Sequence, residues 1–175
     1  DLLTPEETQA VIAHELGHLK CEHGVYLTLV NLLVLATQLL PNWGVILAQS
    51  LQEQMFEWIR CAEFSCDRAA LLTVQEPKVV MSVLMKLAGG SPTLAPRLNL
   101  EAFIEQARAY DRMSDSQLGE LLKNAQTQQL THPVPVIRAQ AIDRWGSSAE
   151  YQKLLEKHQT SYNGQASLEG KWRNW

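Results

Sequence analysis

The residues of this sequence best suited to chemistry are two histidines and a glutamate in the stretch 11–21, which reads V-I-A-H-E-L-G-H-L-K-C. His14 and His18 are four residues apart, so on a helix they lie one turn apart on the same face and can present two imidazole nitrogens to one metal ion. Glu15 points to a neighbouring part of that face, where it can reach a water at the metal without being a ligand. The spacing predicts half of a zinc site, with Glu15 as general base.

A second pair of candidate residues lies further along the chain. Glu63 and Asp67 are also four residues apart, so on a helix they face the same way. Taken alone, they would be surface carboxylates paired with Arg60 and Arg68, at about 0.3–0.5 kcal/mol for each pair. Beside a helix that carries two histidines, Glu63 can instead complete the ligand set. Asp67 can then accept the outer N–H of a liganding histidine and fix its tautomer.

These motifs resemble those of the HtpX and CaaX-prenyl-protease family of zinc metallopeptidases, which are gluzincins with HExxH on one helix and ExxxD on a later one. The matching residues are His14 to His18 and Glu63 to Ala70, and the lead-in Leu3 to Glu7 is also similar. The resemblance is close over Leu2 to Leu72. It implies a zinc-dependent endopeptidase with a polypeptide substrate, and a small sheet upstream of the HExxH helix in the intact protein.

The resemblance extends more loosely to the Thr131-His132-Pro133 segment and to Arg138. In a loop flanked by prolines, a lone histidine such as His132 is most often an ordinary surface residue. The resemblance implies instead that His132 or Arg138 has a catalytic role, either as a donor to the oxyanion or as an anchor for the substrate. It does not choose between them.

Three ligands, namely His14, His18 and Glu63, would leave the fourth position of one zinc ion per chain open to water, which is typical of a catalytic site. Two alternatives stay open. In the first, the chain is a non-catalytic, membrane-apposed helical scaffold whose zinc is structural or shielded. In the second, it is a metal-dependent deformylase with a thiolate from Cys61 or Cys66 in the place of Glu63.

The histidines must be positioned by a helix, and several sequence features predict one here. Thr4 is a favourable N-cap, and Glu7 is placed to complete a capping box with it. We expect this helix to run to about Glu22, with Gly24 as its stop. Gly17 lies in the helix interior, where glycine costs roughly 1 kcal/mol relative to alanine, so its position indicates a close approach by another backbone.

A run of sixteen residues without a charge follows, over Val25 to Leu40. It is shorter than the roughly 20 apolar residues that span a bilayer. A buried core helix is therefore favoured over a hairpin that dips into a membrane interface together with Trp43 to Leu51. Membrane contact through residues 25–51 stays open, because the resembled family often carries membrane-associated helices between the two motifs.

The rest of the chain also has helical signals and no convincing strand, so the fold is expected to be mainly α. One metallopeptidase domain is expected over residues 1–158, followed by a polar tail over 159–175. Further helices are predicted over residues 42–70, 78–87, 99–110, 114–125, 135–145 and 149–158. We assign packing roles to their residues, except for Glu63, Asp67 and Arg138.

The composition of the chain limits the number of domains, the partners and the cellular compartment. The 175 residues fit one domain, and the net charge of -4, without a basic stripe, argues against a nucleic-acid partner. Three cysteines without a framework spacing favour a reducing compartment. We therefore expect a membrane-associated protein with its catalytic domain on the cytoplasmic side or in an organelle stroma. Because the chain begins at Asp1, directly before the motif helix, it is expected to be a fragment.

Overall fold

The computed structural model describes residues 2–40, 43–114 and 133–157. Within these residues the chain forms helices and contains no strand, so the predicted mainly α fold is confirmed. A 3-10 turn covers Ala95–Arg97. The helices are α1 (Pro5–Lys20), α2 (His23–Thr37), α3 (Gly44–Val74), α4 (Pro77–Gly89), α5 (Leu100–Ser114), α6 (Pro135–Gly146) and α7 (residues 149–157).

The chain divides into two compact units, Asp1–Ile142 and Asp143–Trp175. In the second unit the rings of Trp145 and Tyr151 pack with their centroids 4.9 Å apart. Ser148 accepts a hydrogen bond from the backbone N–H of Tyr151 and so caps α7. The predicted domain boundary at residue 158 stays a prediction, because the predicted tail and the predicted helix over 114–125 lie outside the described residues apart from Ser114.

The first helix begins as predicted and ends earlier. Thr4 and Glu7 form the capping box, since the Thr4 side chain accepts from the Glu7 N–H and the Glu7 carboxylate accepts from the Thr4 N–H. The predicted stop at Gly24 is wrong, because Gly24 lies inside α2. Glu22, at φ 54°, adopts the left-handed conformation between the two helices, and the axes of α1 and α2 differ by 52°.

Glu7 also fastens α1 to α4. Its side chain is buried and accepts hydrogen bonds from the Ser82 hydroxyl at 2.6 Å and from the Lys86 ammonium at 2.7 Å. Burial would raise the pKa of the Glu7 carboxyl, but the hydrogen bonds from Lys86, Ser82 and the Thr4 backbone hold that pKa below its ordinary value of 4.5. The charged form is therefore the one that stabilises the fold.

Glu7→Gln is expected to lower the free energy of unfolding by about 1–3 kcal/mol near neutral pH, because it leaves Lys86 partly buried without its carboxylate. Since the folded-state pKa of Glu7 is depressed, its contribution is present above the unfolded pKa and is lost as the pH falls through the folded one. Urea unfolding of both proteins as the pH is lowered should therefore show the difference shrinking. Glu6→Gln, at an exposed neighbour, is the control and should stay within about 0.5 kcal/mol of wild type.

The close packing of α1 against α3 depends on Gly17. A Cβ atom at Gly17 would lie 3.1 Å from the Sγ atom of Cys66 and 3.4 Å from its Cα atom. The close backbone approach predicted from Gly17 is therefore confirmed, and its partner is the middle of α3. Cys66 is itself fully buried, as are Leu71, Met81 and Ile142. This packing brings the histidines of α1 against the carboxylates of α3.

The apolar run forms a helix as predicted, but it is not a buried core helix. In the described chain, twelve large apolar side chains of α2, of the residues between α2 and α3 and of the beginning of α3 are exposed, from 45 % at Leu47 to 83 % at Leu39. An apolar run shows that its side chains favour a place away from water, but it does not show whether this chain or another molecule covers them. The prediction of a buried core helix failed for this reason. The exposed residues are Val25, Tyr26, Leu29, Leu32, Leu33, Leu35, Leu39, Leu40, Trp43, Val45, Ile46 and Leu47.

Among the described helices, none taken singly has both the length and the apolar character needed to cross a membrane. Taken together, α1 and α2 have enough length and apolar character, although the pair is bent by 52° between them.

Candidate metal centre

Three helices of the first unit bring the predicted site residues together. On α1, His14 and His18 lie one turn apart, and on α3, Glu63 and Asp67 do the same. Because α1 and α3 pack closely at Gly17, the two pairs face each other across the contact. The Arg138 side chain of α6 reaches both carboxylates from a third direction.

Three of these side chains form a compact group of possible metal ligands. The Nε2 atoms of His14 and His18 are 3.2 Å apart. The Glu63 carboxylate lies 3.5 Å from His14 Nε2 through Oε2 and 3.4 Å from His18 Nε2 through Oε1. Glu63 is buried, whereas the His18 side chain is 27 % exposed, so the group is open on the side of His18. One ion can contact a donor atom of each residue.

Asp67 orients the first of the two histidines. Its Oδ1 atom lies 3.0 Å from the Nδ1 atom of His14, on the side of the ring opposite to Nε2. A proton on Nδ1 can therefore be donated to the carboxylate, which leaves the Nε2 lone pair directed at the ligand group. Asp67 thus lies where the sequence analysis expected an acceptor for a liganding histidine.

Arg138 binds the two carboxylates. It donates to Asp67 through Nε at 2.7 Å and through Nη2 at 2.6 Å, and its Nη1 atom lies 3.0 Å from Glu63 Oε2. Burial would raise the pKa of Asp67, but the hydrogen bonds from Arg138 and His14 hold it below its ordinary value. Both carboxylates are thus held in place by the guanidinium of Arg138, which was one of two candidates, with His132, for contact with the oxyanion or the substrate.

The same carboxylates act on the first histidine. Burial would lower the pKa of His14, but hydrogen bonds to Asp67 and Glu63 outweigh it and raise that pKa to about 9. A metal ion must therefore displace a proton from this ring at neutral pH. Metal binding at this group would release a proton and would weaken as the pH falls.

The structure adds one residue that the sequence analysis did not select. His23, at the start of α2, is buried, and its Nδ1 atom lies 2.9 Å from the Nδ1 atom of His18. The residue follows His18 by five positions rather than three or four, so helical spacing gives no signal for it. Only the turn at Glu22 brings the ring back towards α1. A histidine just beyond an HExxH helix was the available hint.

A second group of possible ligands shares one histidine with the first. It comprises His18, His23 and Cys66, with the Cys66 Sγ atom 3.8 Å from His23 Nδ1. Burial and the neighbouring Glu63 carboxylate raise the pKa of the Cys66 thiol to about 12, so the thiol is protonated near neutral pH when no metal binds it. Among the described residues, its Sγ atom groups with His18 and His23 rather than with His14 and His18. Cys61 is exposed and belongs to neither group. These facts weigh against a thiolate in the place of Glu63.

The ligand group opens into a cavity of about 590 Å³. Glu15 lines this cavity beside His14 but is not part of either group of possible ligands among the described residues. Much of the wall is apolar, formed by side chains that include Val11, Leu27, Trp58, Val83, Leu84 and Leu87. His132 lies outside the described residues, so its predicted catalytic role stays a prediction.

A helical unit in which two histidines and a glutamate meet beside a cavity is the arrangement of a metallopeptidase. The chain belongs to peptidase family M48, whose model matches residues 1–146. It is 58 % identical over 157 residues to the plastoglobule-localized metallopeptidase 48, chloroplastic, of Arabidopsis thaliana. This match covers 90 % of the chain but only 46 % of that relative. No solved structure matches the chain. The resemblance recognised in the sequence is therefore confirmed at the level of the family.

Proposed function

We propose that the protein containing this chain is a zinc-dependent endopeptidase that hydrolyses unfolded or membrane-associated polypeptides. One zinc ion would be held by His14, His18 and Glu63. The observation that carries the proposal is the closeness of their donor atoms: the two Nε2 atoms are 3.2 Å apart, and each lies 3.4–3.5 Å from one of the two Glu63 oxygens. Ligand bonds of about 2.0–2.1 Å in a tetrahedral zinc site place neighbouring donors about 3.3 Å apart. Two imidazoles and one carboxylate are also a donor set of catalytic zinc sites.

In this proposal Glu15 handles the proton. When bound, zinc would polarise the peptide carbonyl and lower the pKa of a water at its open position toward about 7. Glu15 accepts a proton from the water as the water oxygen forms a bond to the carbonyl carbon. It then donates that proton to the amine nitrogen as the peptide C–N bond breaks. Its place on the cavity wall, outside the ligand group, suits this role.

The remaining polar residues hold the reacting groups. Asp67 fixes the ring of His14, and Arg138 fixes Asp67 and Glu63 through three of its nitrogen atoms. Because these nitrogens already contact carboxylates, we assign Arg138 to positioning rather than to the substrate. The oxyanion donor is then proposed to be His132.

Loss and recovery of activity on removal of the metal test the proposal against the non-catalytic scaffold. We expect the intact protein to contain one zinc per chain and to cleave casein. A zinc chelator should abolish cleavage, and added zinc should restore it. A protein that holds zinc but cleaves no unfolded substrate would favour the scaffold, and cleavage that survives full removal of metal would contradict the zinc assignment.

We also propose that residues 25–51 contact a lipid surface. These residues carry no charge, and the exposed apolar side chains of α2 and of the start of α3 form the largest such group among the described residues. Apolar surface of this extent marks an interaction site, and its lack of basic residues favours neutral lipid. The 15 residues of α2 measure about 22 Å, which is shorter than the roughly 30 Å hydrocarbon core and suits contact with one side of a membrane rather than a crossing. The relative is named as plastoglobule-localized, which supports an organelle location such as a stroma-facing membrane surface.

Flotation of the intact protein with phosphatidylcholine vesicles tests this contact. Leu29 and Leu33 are 52 % and 56 % exposed on one face of α2. Replacing both by Asp should weaken binding at least about a hundredfold, since each buried leucine contributes about 1.5–3 kcal/mol. Wild-type binding should be insensitive to salt because no charge participates. Leu94→Asp, at an exposed leucine outside the group, is the control. Equal flotation of the double variant and wild type would contradict the proposal.

A further inference from the structure

His23 lies where it can determine which ring nitrogen of His18, the second histidine of the ligand group, carries the proton. The His18 ring has one nitrogen, Nε2, among the donor atoms and the other, Nδ1, 2.9 Å from His23 Nδ1. A ring nitrogen that binds a metal must offer its lone pair, so the proton of a neutral His18 belongs on Nδ1. That proton points at His23, so His23 Nδ1 must be the acceptor and its own proton must lie on Nε2.

The packing of His23 holds this acceptor in place. The ring is buried at 8 % exposure and stands edge-on to Trp58, with centroids 5.3 Å apart and planes at 88°. Trp58 in turn packs against Tyr26, with centroids 5.9 Å apart. Cys66 lies on another side of the ring. A ring fixed on several sides by α2 and α3 cannot easily turn away from His18.

Each histidine of the ligand group has a partner next to its outer ring nitrogen. His14 has Asp67 behind its outer nitrogen at 3.0 Å, and His18 has His23 behind its outer nitrogen at 2.9 Å. We infer that His23 is a positioning residue that accepts the Nδ1 proton of His18 and thereby directs the Nε2 lone pair at the metal. This inference rests on the proposed zinc site. The competing use of His23 is as a ligand, with His18 and Cys66, for a second metal ion.

The test compares His23→Leu with His23→Asn in the intact protein. Leucine and asparagine have nearly the same shape, but only asparagine offers an acceptor oxygen near the position of Nδ1. Zinc affinity, measured by competition with a chelator, should fall about 10–100-fold in His23→Leu and recover most of that loss in His23→Asn. The cobalt-substituted proteins should show an altered visible spectrum in His23→Leu alone. Both variants lose the ring contact with Trp58, so packing by itself predicts no difference between them.

A direct measurement on the wild type covers the case in which a variant fails to fold. Nitrogen-15 NMR of the histidine rings in the zinc-loaded protein should find the His18 proton on Nδ1 and the His23 proton on Nε2. A His23 proton on Nδ1 would overturn the inference, and so would equal zinc affinity in His23→Leu and wild type. Two zinc ions per chain, with one lost in Cys66→Ala, would show that His23 is a ligand instead. A wild-type protein that takes up no zinc would overturn the proposed function itself.

Discussion

Glu15→Gln is expected to lower kcat for peptide hydrolysis about a thousandfold and to leave the zinc content at one per chain. Glutamine keeps the size and the hydrogen-bonding capacity of glutamate but does not accept a proton near neutral pH, so proton transfer loses its catalyst. Glu15 lines the cavity and lies outside the described groups of possible ligands, which is why we expect metal binding to survive. The measurement is the rate of casein cleavage alongside zinc analysis of the same samples.

The control for Glu15→Gln is a glutamate on the same helix that does not line the cavity. Glu6→Gln removes one exposed carboxylate from α1 and should keep both the rate and the zinc content of wild type. A Glu15→Gln protein with full zinc and full activity would exclude Glu15 as the base. Loss of zinc together with activity would place Glu15 in metal binding instead.

Glu63→Ala is expected to abolish stable zinc binding and to reduce cleavage to background. Glu63 supplies the only carboxylate of the His14, His18 and Glu63 group, and without it two imidazoles remain. The loss should exceed the roughly 10–100-fold that follows removal of a group behind a ligand. Glu63 also pairs with Arg138 at 3.0 Å, so the unfolding free energy of the metal-free variant must be measured in parallel. Zinc competition titrations give the affinity.

Cys66→Ser is the matched variant for Glu63→Ala. Cys66 lies on the same helix, three residues from Glu63, and its thiol is the ligand that the deformylase alternative requires. Our assignment predicts that Cys66→Ser keeps its zinc and its activity, because Glu63 groups with both His14 and His18, whereas the Cys66 Sγ atom groups with His18 and His23. If Cys66→Ser lost zinc while Glu63→Ala kept it, the thiol would be the ligand and the peptidase assignment would fail.

Local signals in the sequence were sufficient for the framework of the site. The capping box of Thr4 and Glu7 occurs as predicted. At the start of the helix predicted over 99–110, the Asn99 side chain accepts from the Ala102 N–H at 3.1 Å and so caps α5. These features depend on residues three or four positions apart, for which the geometry of one helical turn fixes the contact. The pairing of His14 with His18 follows from the same rule. The pairing of these histidines with Glu63 was inferred from the two motifs together, and the family resemblance supported it.

The burial of Glu63 and Asp67 on α3 could not be predicted from their local sequence. Taken alone, Glu63 and Asp67 looked like ordinary surface carboxylates beside Arg60 and Arg68, and only the HExxH helix together with the family resemblance indicated a site. Their burial shows why: a carboxylate hidden against another helix has the same sequence pattern as one that faces water. Gly17 was the one local signal of that contact, and it could not name Cys66 as its partner.

By itself the sequence determined the helices, the pairs of residues that share a face, and the class of chemistry those pairs permit. The tertiary structure decided that Arg138 binds carboxylates, that His23 faces His18, and that most leucines of α2 stay exposed in the described chain. The physical reason is range. A helical turn is fixed by bonds between near neighbours, whereas these three outcomes depend on turns such as the one at Glu22 and on which surfaces pack together.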